Sequence, residues 1–123
     1  MMRYKLLFIL CLIAITFLSL QPLDADGVVP LPRLTSSAFE LHVLAYGVAM
    51  LLGLAAFGRI LLLPIALLLY GALLEAIQGL LPSRAMNPFD ILANALGIAV
   101  ALLINLYLRS RRVDRRTTDS PTA

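Results

Sequence analysis

Tryptophan is absent from this chain, cysteine occurs once, and charged residues fill only 14% of its 123 positions. Each shortage closes off a class of protein. An ordinary soluble domain carries about a quarter charged residues, and a soluble chain of this size cannot hide a large excess of apolar surface. Cys11 alone makes no internal disulfide and lacks the partners of a metal site. It reads as a small apolar residue inside a hydrophobic run. Without tryptophan, the anchors at the water–hydrocarbon boundary fall to Tyr4, Tyr70 and Tyr107. A glycine loop of the kind that cradles phosphates is also missing.

What the chain has in abundance is hydrocarbon. It is 61% hydrophobic, its mean hydropathy is +0.94, and the apolar residues come in long blocks. A helix needs roughly 20 mostly apolar residues to cross a bilayer, within a range of about 17–25. Four segments meet that need, at about 4–20, 39–57, 60–81 and 89–108. The expected fold is an all-α, polytopic bundle of four transmembrane helices over residues 1–108. Residues 109–123 follow as a basic, disordered tail. Pro64 falls in the first turns of the third helix, where a missing N–H costs little. The first segment shares the basic start and apolar core of a signal peptide. However, "SLQPLDADG" offers no small-residue cleavage site, so the segment is expected to stay as the first span.

Orientation follows from basic residues, which collect on the cytoplasmic side. With both termini cytoplasmic, eight of the ten basic residues lie inside, and only Arg33 and Arg84 lie outside. The tail "RSRRVDRR" then acts as a topology signal beside anionic lipid. Nucleic acid is not an expected partner.

That topology sends a set of polar residues to the outer end of the bundle. His42 and Tyr46 open the second helix, Glu75 and Gln78 close the third, Arg84 sits in the loop, and Asp90 and Asn94 open the fourth. The three helix pairs are spaced three or four residues apart, so each pair shares a face. Glu75 is the deepest, roughly 9 Å inside the end of its helix near Leu81. An ionisable group at such depth is costly unless paired or wetted, and points to function. Arg84 and His42 are its expected partners.

Every one of these residues also has a structural role open to it. Asp90 suits a helix N-cap, and Asn94 suits an interhelical hydrogen bond. His42 and Tyr46 suit the interface, and Glu75 with Arg84 suits a buried ion pair. Gly71, Gly79 and Gly97 suit close helix contact. His42, Glu75 and Asp90 are metal-ligand types, but no spacing among them demands an ion. Neither metal nor cofactor is assigned from sequence.

At these residues the chain resembles the VanZ-like family of small bacterial membrane proteins. The family pattern of E-x-x-Q, a loop arginine and D-x-x-x-N-x-x-G reads here as Glu75 to Gln78, Arg84, and Asp90 through Asn94 to Gly97. An upstream H-x-x-x-Y matches His42 and Tyr46, and "SLQP" resembles the family's end of helix one. The similarity spans residues 5–108. One departure stands out: the family often has an Asp-Lys pair shortly before the histidine, where this chain has Ala38-Phe39 and then Glu40. That departure bears on substrate and on activity.

The resemblance implies a bacterial inner-membrane protein, in a family with one member linked to teicoplanin resistance. Two kinds of function fit the residues. In the first, the outer site binds or modifies an envelope lipid or cell-wall component. Arg84 then holds an anionic group, Glu75 and His42 supply acid–base chemistry, and Gln78, Asn94, Asp90 and Tyr46 orient the ligand. In the second, the cluster packs the bundle or docks a membrane partner without chemistry. Whether a reaction is catalysed stays open. A transporter fits poorly, because the inner half has no polar path and four helices enclose little room unless copies of the chain associate.

Overall fold

In the computed structural model the chain is all-helical. The structure describes residues 1–21, 38–58, 61–82 and 85–118. The helices are α1 (Met2–Leu20), α2 (Ala38–Phe57), α3 (Leu62–Gln78) and α4 (Pro88–Thr118), with no strand among the described residues. Three of them, α1, α2 and the Pro88–Val113 part of α4, are long and apolar enough to cross a membrane. Helix α3 has 17 residues, at the lower edge of what spans the hydrocarbon core. The chain is therefore a helical membrane protein. Its exterior agrees: Leu10, Ile13, Phe17, Leu44, Leu69 and Leu103 all face outward, as a lipid solvent permits and water does not.

Each helix stops for a local reason. Gln21 is extended (φ −62°, ψ 137°) because it precedes a proline, which disfavours helical backbone in the residue before it. Helix α2 ends at Gly58, whose φ of 74° is the left-handed conformation that glycine adopts without strain. Its N–H closes on the Leu54 carbonyl at 2.9 Å. Pro64 is the third residue of α3, where its missing N–H leaves no bond unmade. After Gln78 the chain tightens, with Leu80 bonding Ile77 and Leu81 bonding Gln78 at 3.0 Å each. The third span thus finishes as a turn and not as the helix expected through residue 81. Its expected first residue, Ile60, lies outside the described residues.

Contacts set the directions. Phe8 meets Phe57 edge-on, with ring centroids 5.5 Å apart, so the start of α1 lies by the end of α2. Ser19 meets Gln78, and His42 meets Asn94. The helices therefore run alternately up and down, with α1 beginning and α4 ending at one end of the bundle. Arg3, Lys5 and the arginines of α4 share that end. Arg33 and Arg59 lie outside the described residues.

Helices α2 and α4 run parallel and form the most extensive contact. They touch through backbone: a Cβ added to Gly97 would fall 2.2 Å from the Val43 carbonyl oxygen. Small residues allow this approach where lipid gives no hydrophobic push between helices. A second tie joins α1 to α3. The Tyr70 hydroxyl donates to the Leu12 carbonyl at 2.8 Å and also contacts the Thr16 hydroxyl, which reaches the same carbonyl at 2.9 Å. Tyr70 is thus an interhelical clasp and not the boundary anchor expected from sequence.

Residues 109–118 differ from expectation as well, and residues 119–123 lie outside the described residues. Helix α4 continues to Thr118 without a break, where a disordered tail was expected. Arginine is a good helix former, and four-residue side-chain pairs support the extension. Arg109 Nε donates to Asn105 Oδ1 at 3.3 Å, and Arg111 Nε donates to the Tyr107 hydroxyl at 3.0 Å. At 1.5 Å per residue the helix is about 46 Å long, well beyond a hydrocarbon core of about 30 Å.

Candidate functional site

The sequence around residue 87 builds the site from the backbone outward. Proline is favoured at the first helical position and asparagine just before it, and Asn87-Pro88 follows that rule. Asn87 Oδ1 accepts the N–H of Phe89 at 3.1 Å, and the Asn87 carbonyl accepts that of Asp90 at 3.0 Å. Asn87 is therefore the cap of α4. Asp90 is the third helical residue, one turn in, and not the cap that its residue type suggested. Its Oδ1 accepts from Asn87 Nδ2 at 3.2 Å, which leaves Oδ2 turned the other way.

The backbone N–H of Asn87 crosses to α3 and donates to Glu75 Oε2 at 3.2 Å. Glu75 is 1% exposed. So deep a carboxylate has to be hydrogen-bonded, and the entry to α4 supplies one of its bonds. His42, on the first turns of α2, completes the group. Its Nε2 stands 3.7 Å from Asp90 Oδ2, and its Nδ1 lies 2.9 Å from Asn94 Oδ1. An amide oxygen only accepts, so Nδ1 carries the proton and donates to Asn94. Nε2 is then the ring nitrogen that faces Asp90.

The side chains of His42 and Asp90 keep 18% and 13% of their surface exposed. They form the accessible rim, with Glu75 and Asn94 beneath them. One ligand atom from each of His42, Glu75 and Asp90 lies within 4.8 Å of the other two. Helices α2, α3 and α4 each contribute one of the three.

Below the rim, the Tyr46 ring lies nearly parallel to that of His42, 6.4 Å away. Tyr46 is fully buried, and room for it comes from Gly71. A Cβ there would sit 2.5 Å from Asn94 Nδ2 and 2.9 Å from the Tyr46 oxygen. Gln78 behaves differently from the rest: its Nε2 donates to the Ser19 carbonyl at 2.7 Å, tying α3 to α1. Arg84 lies outside the described residues. Glu40 is exposed, on the rim side of α2.

Of the residues singled out from sequence, the structure brings His42, Glu75, Asp90 and Asn94 together, with Tyr46 as their floor. Asn87 went unnoticed as a site residue, although an Asn-Pro pair before an apolar run is a legible helix start. The Ser19 carbonyl had no signal at all, since any residue supplies a carbonyl.

Apolar grooves flank the bundle among the described residues. One, of about 400 Å³, is lined by Ile13, Thr16, Phe17, Leu20 and Gln21 and reaches the site's end of α1. Another, of about 340 Å³, lies toward the basic end between Met50, Leu61 and Leu106, with Asn105 as its polar member.

Among the described residues, fold and site together define a helical membrane protein with a polar cluster at one end of its bundle. Comparison of the chain with protein-family models, with curated proteins and with solved structures finds no match.

Proposed function

We propose that this chain is a VanZ-like protein of the bacterial cytoplasmic membrane whose polar cluster binds or modifies an envelope lipid or cell-wall component. The observation that carries this reading is the convergence of His42, Glu75, Asp90 and Asn94 from three helices on one half-open cluster. A bundle needing only interhelical glue would not bury a carboxylate beside a second carboxylate, because ionisable groups at membrane depth are expensive. The basic ends of α1 and α4 lie opposite the cluster, so the positive-inside rule turns the cluster outward. An apolar groove on α1 reaches the same end, which suits an amphiphile with its chain in lipid and its head group at the site.

In this reading Asp90 and His42 meet the ligand first. Glu75 is placed to exchange a proton with it, and Asn94 fixes the imidazole. Arg84, which follows α3 in the sequence, is the proposed source of positive charge for an anionic head group. Gln78 has a structural role through Ser19, and the same bond favours packing as the second reading of part of the cluster.

A complementation experiment separates the two. A deletion strain carrying wild-type, Glu75→Gln or Arg84→Ala protein is grown under teicoplanin and other envelope stresses, and the membrane abundance of each variant is measured alongside. Normal abundance with lost growth is expected. Restored growth, or disappearance of both variants from the membrane, overturns the proposal in favour of packing.

A further inference from the structure

The three groups at the rim and base of the site are arranged as metal ligands are. We infer that His42, Glu75 and Asp90 bind a divalent first-row transition ion, with Zn²⁺ the best match to one imidazole and two carboxylates. The first ground is proximity: one donor atom from each lies within 4.8 Å of the others, and His42 Nε2 is already 3.7 Å from Asp90 Oδ2. Donors around a tetrahedral zinc stand on the order of 3.4 Å apart, given bonds of about 2.0–2.2 Å. Side-chain rotations that shorten these separations by up to about 1.4 Å meet that geometry.

The second ground is independent of proximity. Each ligand has an atom held by an outer partner. His42 Nδ1–H is fixed by Asn94 Oδ1, Asp90 Oδ1 by Asn87 Nδ2, and Glu75 Oε2 by the Asn87 backbone N–H. Metal-binding histidines almost always donate their other ring N–H in this way, and ligating carboxylates are likewise hydrogen-bonded. The bond to Asn94 occupies Nδ1 and leaves Nε2 as the ring nitrogen facing the carboxylates, the one an imidazole ligand would use.

Three protein ligands leave at least one coordination position open. It would face the partly exposed rim, where an oxygen anion from outside can reach it.

The test is metal binding by the full chain in detergent micelles, read as bound ion per chain and independent of any growth phenotype. After chelator treatment, Zn²⁺ and Mn²⁺ are titrated separately, and Co²⁺ absorption reports the coordination. The expected result is one Zn²⁺ per chain, bound more tightly than Mn²⁺. His42→Ala and Asp90→Asn should abolish binding, and Asn94→Ala should weaken it roughly 10–100-fold as an outer partner. Glu75→Gln belongs in the series, but Asp90→Asn, at the rim, keeps the test decisive if the buried variant fails to fold. Absence of stoichiometric binding overturns the inference. So does binding unaffected by His42→Ala and Asp90→Asn, or binding that appears only in Arg84→Ala, which would place the guanidinium where the ion was inferred.

Discussion

His42 of α2 and Asn94 of α4 are joined by a 2.9 Å hydrogen bond between Nδ1 and Oδ1, beside the backbone contact of Gly97 with Val43. Asn94 is 1% exposed, so neither water nor lipid replaces the bond when it is lost.

Asn94→Ala is therefore expected to lower unfolding stability in detergent by about 1 kcal/mol, in the range of interhelical hydrogen bonds in membranes. Thermal unfolding of purified variants measures it. His42→Ala combined with Asn94→Ala should cost less than the sum of the single changes, because both remove one bond. Strict additivity would show that the bond contributes nothing.

Gly97 and Gly58 should respond in different ways to the same added methyl group. At Gly97 a Cβ meets the Val43 carbonyl oxygen at 2.2 Å, a backbone atom that yields only if α2 and α4 part. Gly97→Ala is expected to cost about 3 kcal/mol or more, the upper range for overpacking, and to loosen His42 from Asn94. At Gly58 nothing lies within 4 Å, and the penalty comes from a φ of 74° alone. Gly58→Ala should cost about 1–2 kcal/mol and leave the site intact. Equal losses, read from unfolding curves, would contradict the close α2–α4 contact.

Thr16 and Tyr70 share the Leu12 carbonyl and touch each other. Both hydroxyls add to a carbonyl that already accepts the helix N–H four residues on, and they also meet each other. Tyr70→Phe and Thr16→Val should each cost about 0.6 kcal/mol. The double change should cost less than the sum, since each single change already removes the contact between the two hydroxyls and the helix N–H of Thr16 still serves the Leu12 carbonyl. A double-mutant cycle on unfolding free energies gives the answer.

The fold was largely legible because hydrophobic length dictates it. Residues 4–20, 39–57 and 89–108 each lie inside a helix of the structure, bounded by Gln21 before a proline, by Gly58 and by Asn87-Pro88. The ends were less legible where composition changes but propensity does not. The arginines after Leu108 read as tail by charge, yet they continue α4 by propensity. In the site, the shared faces of His42 with Tyr46 and Asp90 with Asn94 were readable from spacing. Which bonds each group makes was not. Gln78 turns to α1, Tyr70 clasps Leu12, and Asp90 yields the cap to Asn87. Those outcomes depend on the rotation of one helix against another, and a periodic pattern records only rotation within a helix.

Asn87 carries a consequence beyond its own bonds. It caps the first turn of α4, and that same residue supplies donors to both Glu75 and Asp90. Helix nucleation and assembly of the acidic group are thereby one event. If the first turn frays, the buried carboxylate loses its cross-helix donor at the same moment that Asp90 loses the asparagine beside it. The order of the site is then no greater than the persistence of a single helical turn, and whatever steadies that turn from outside steadies the site.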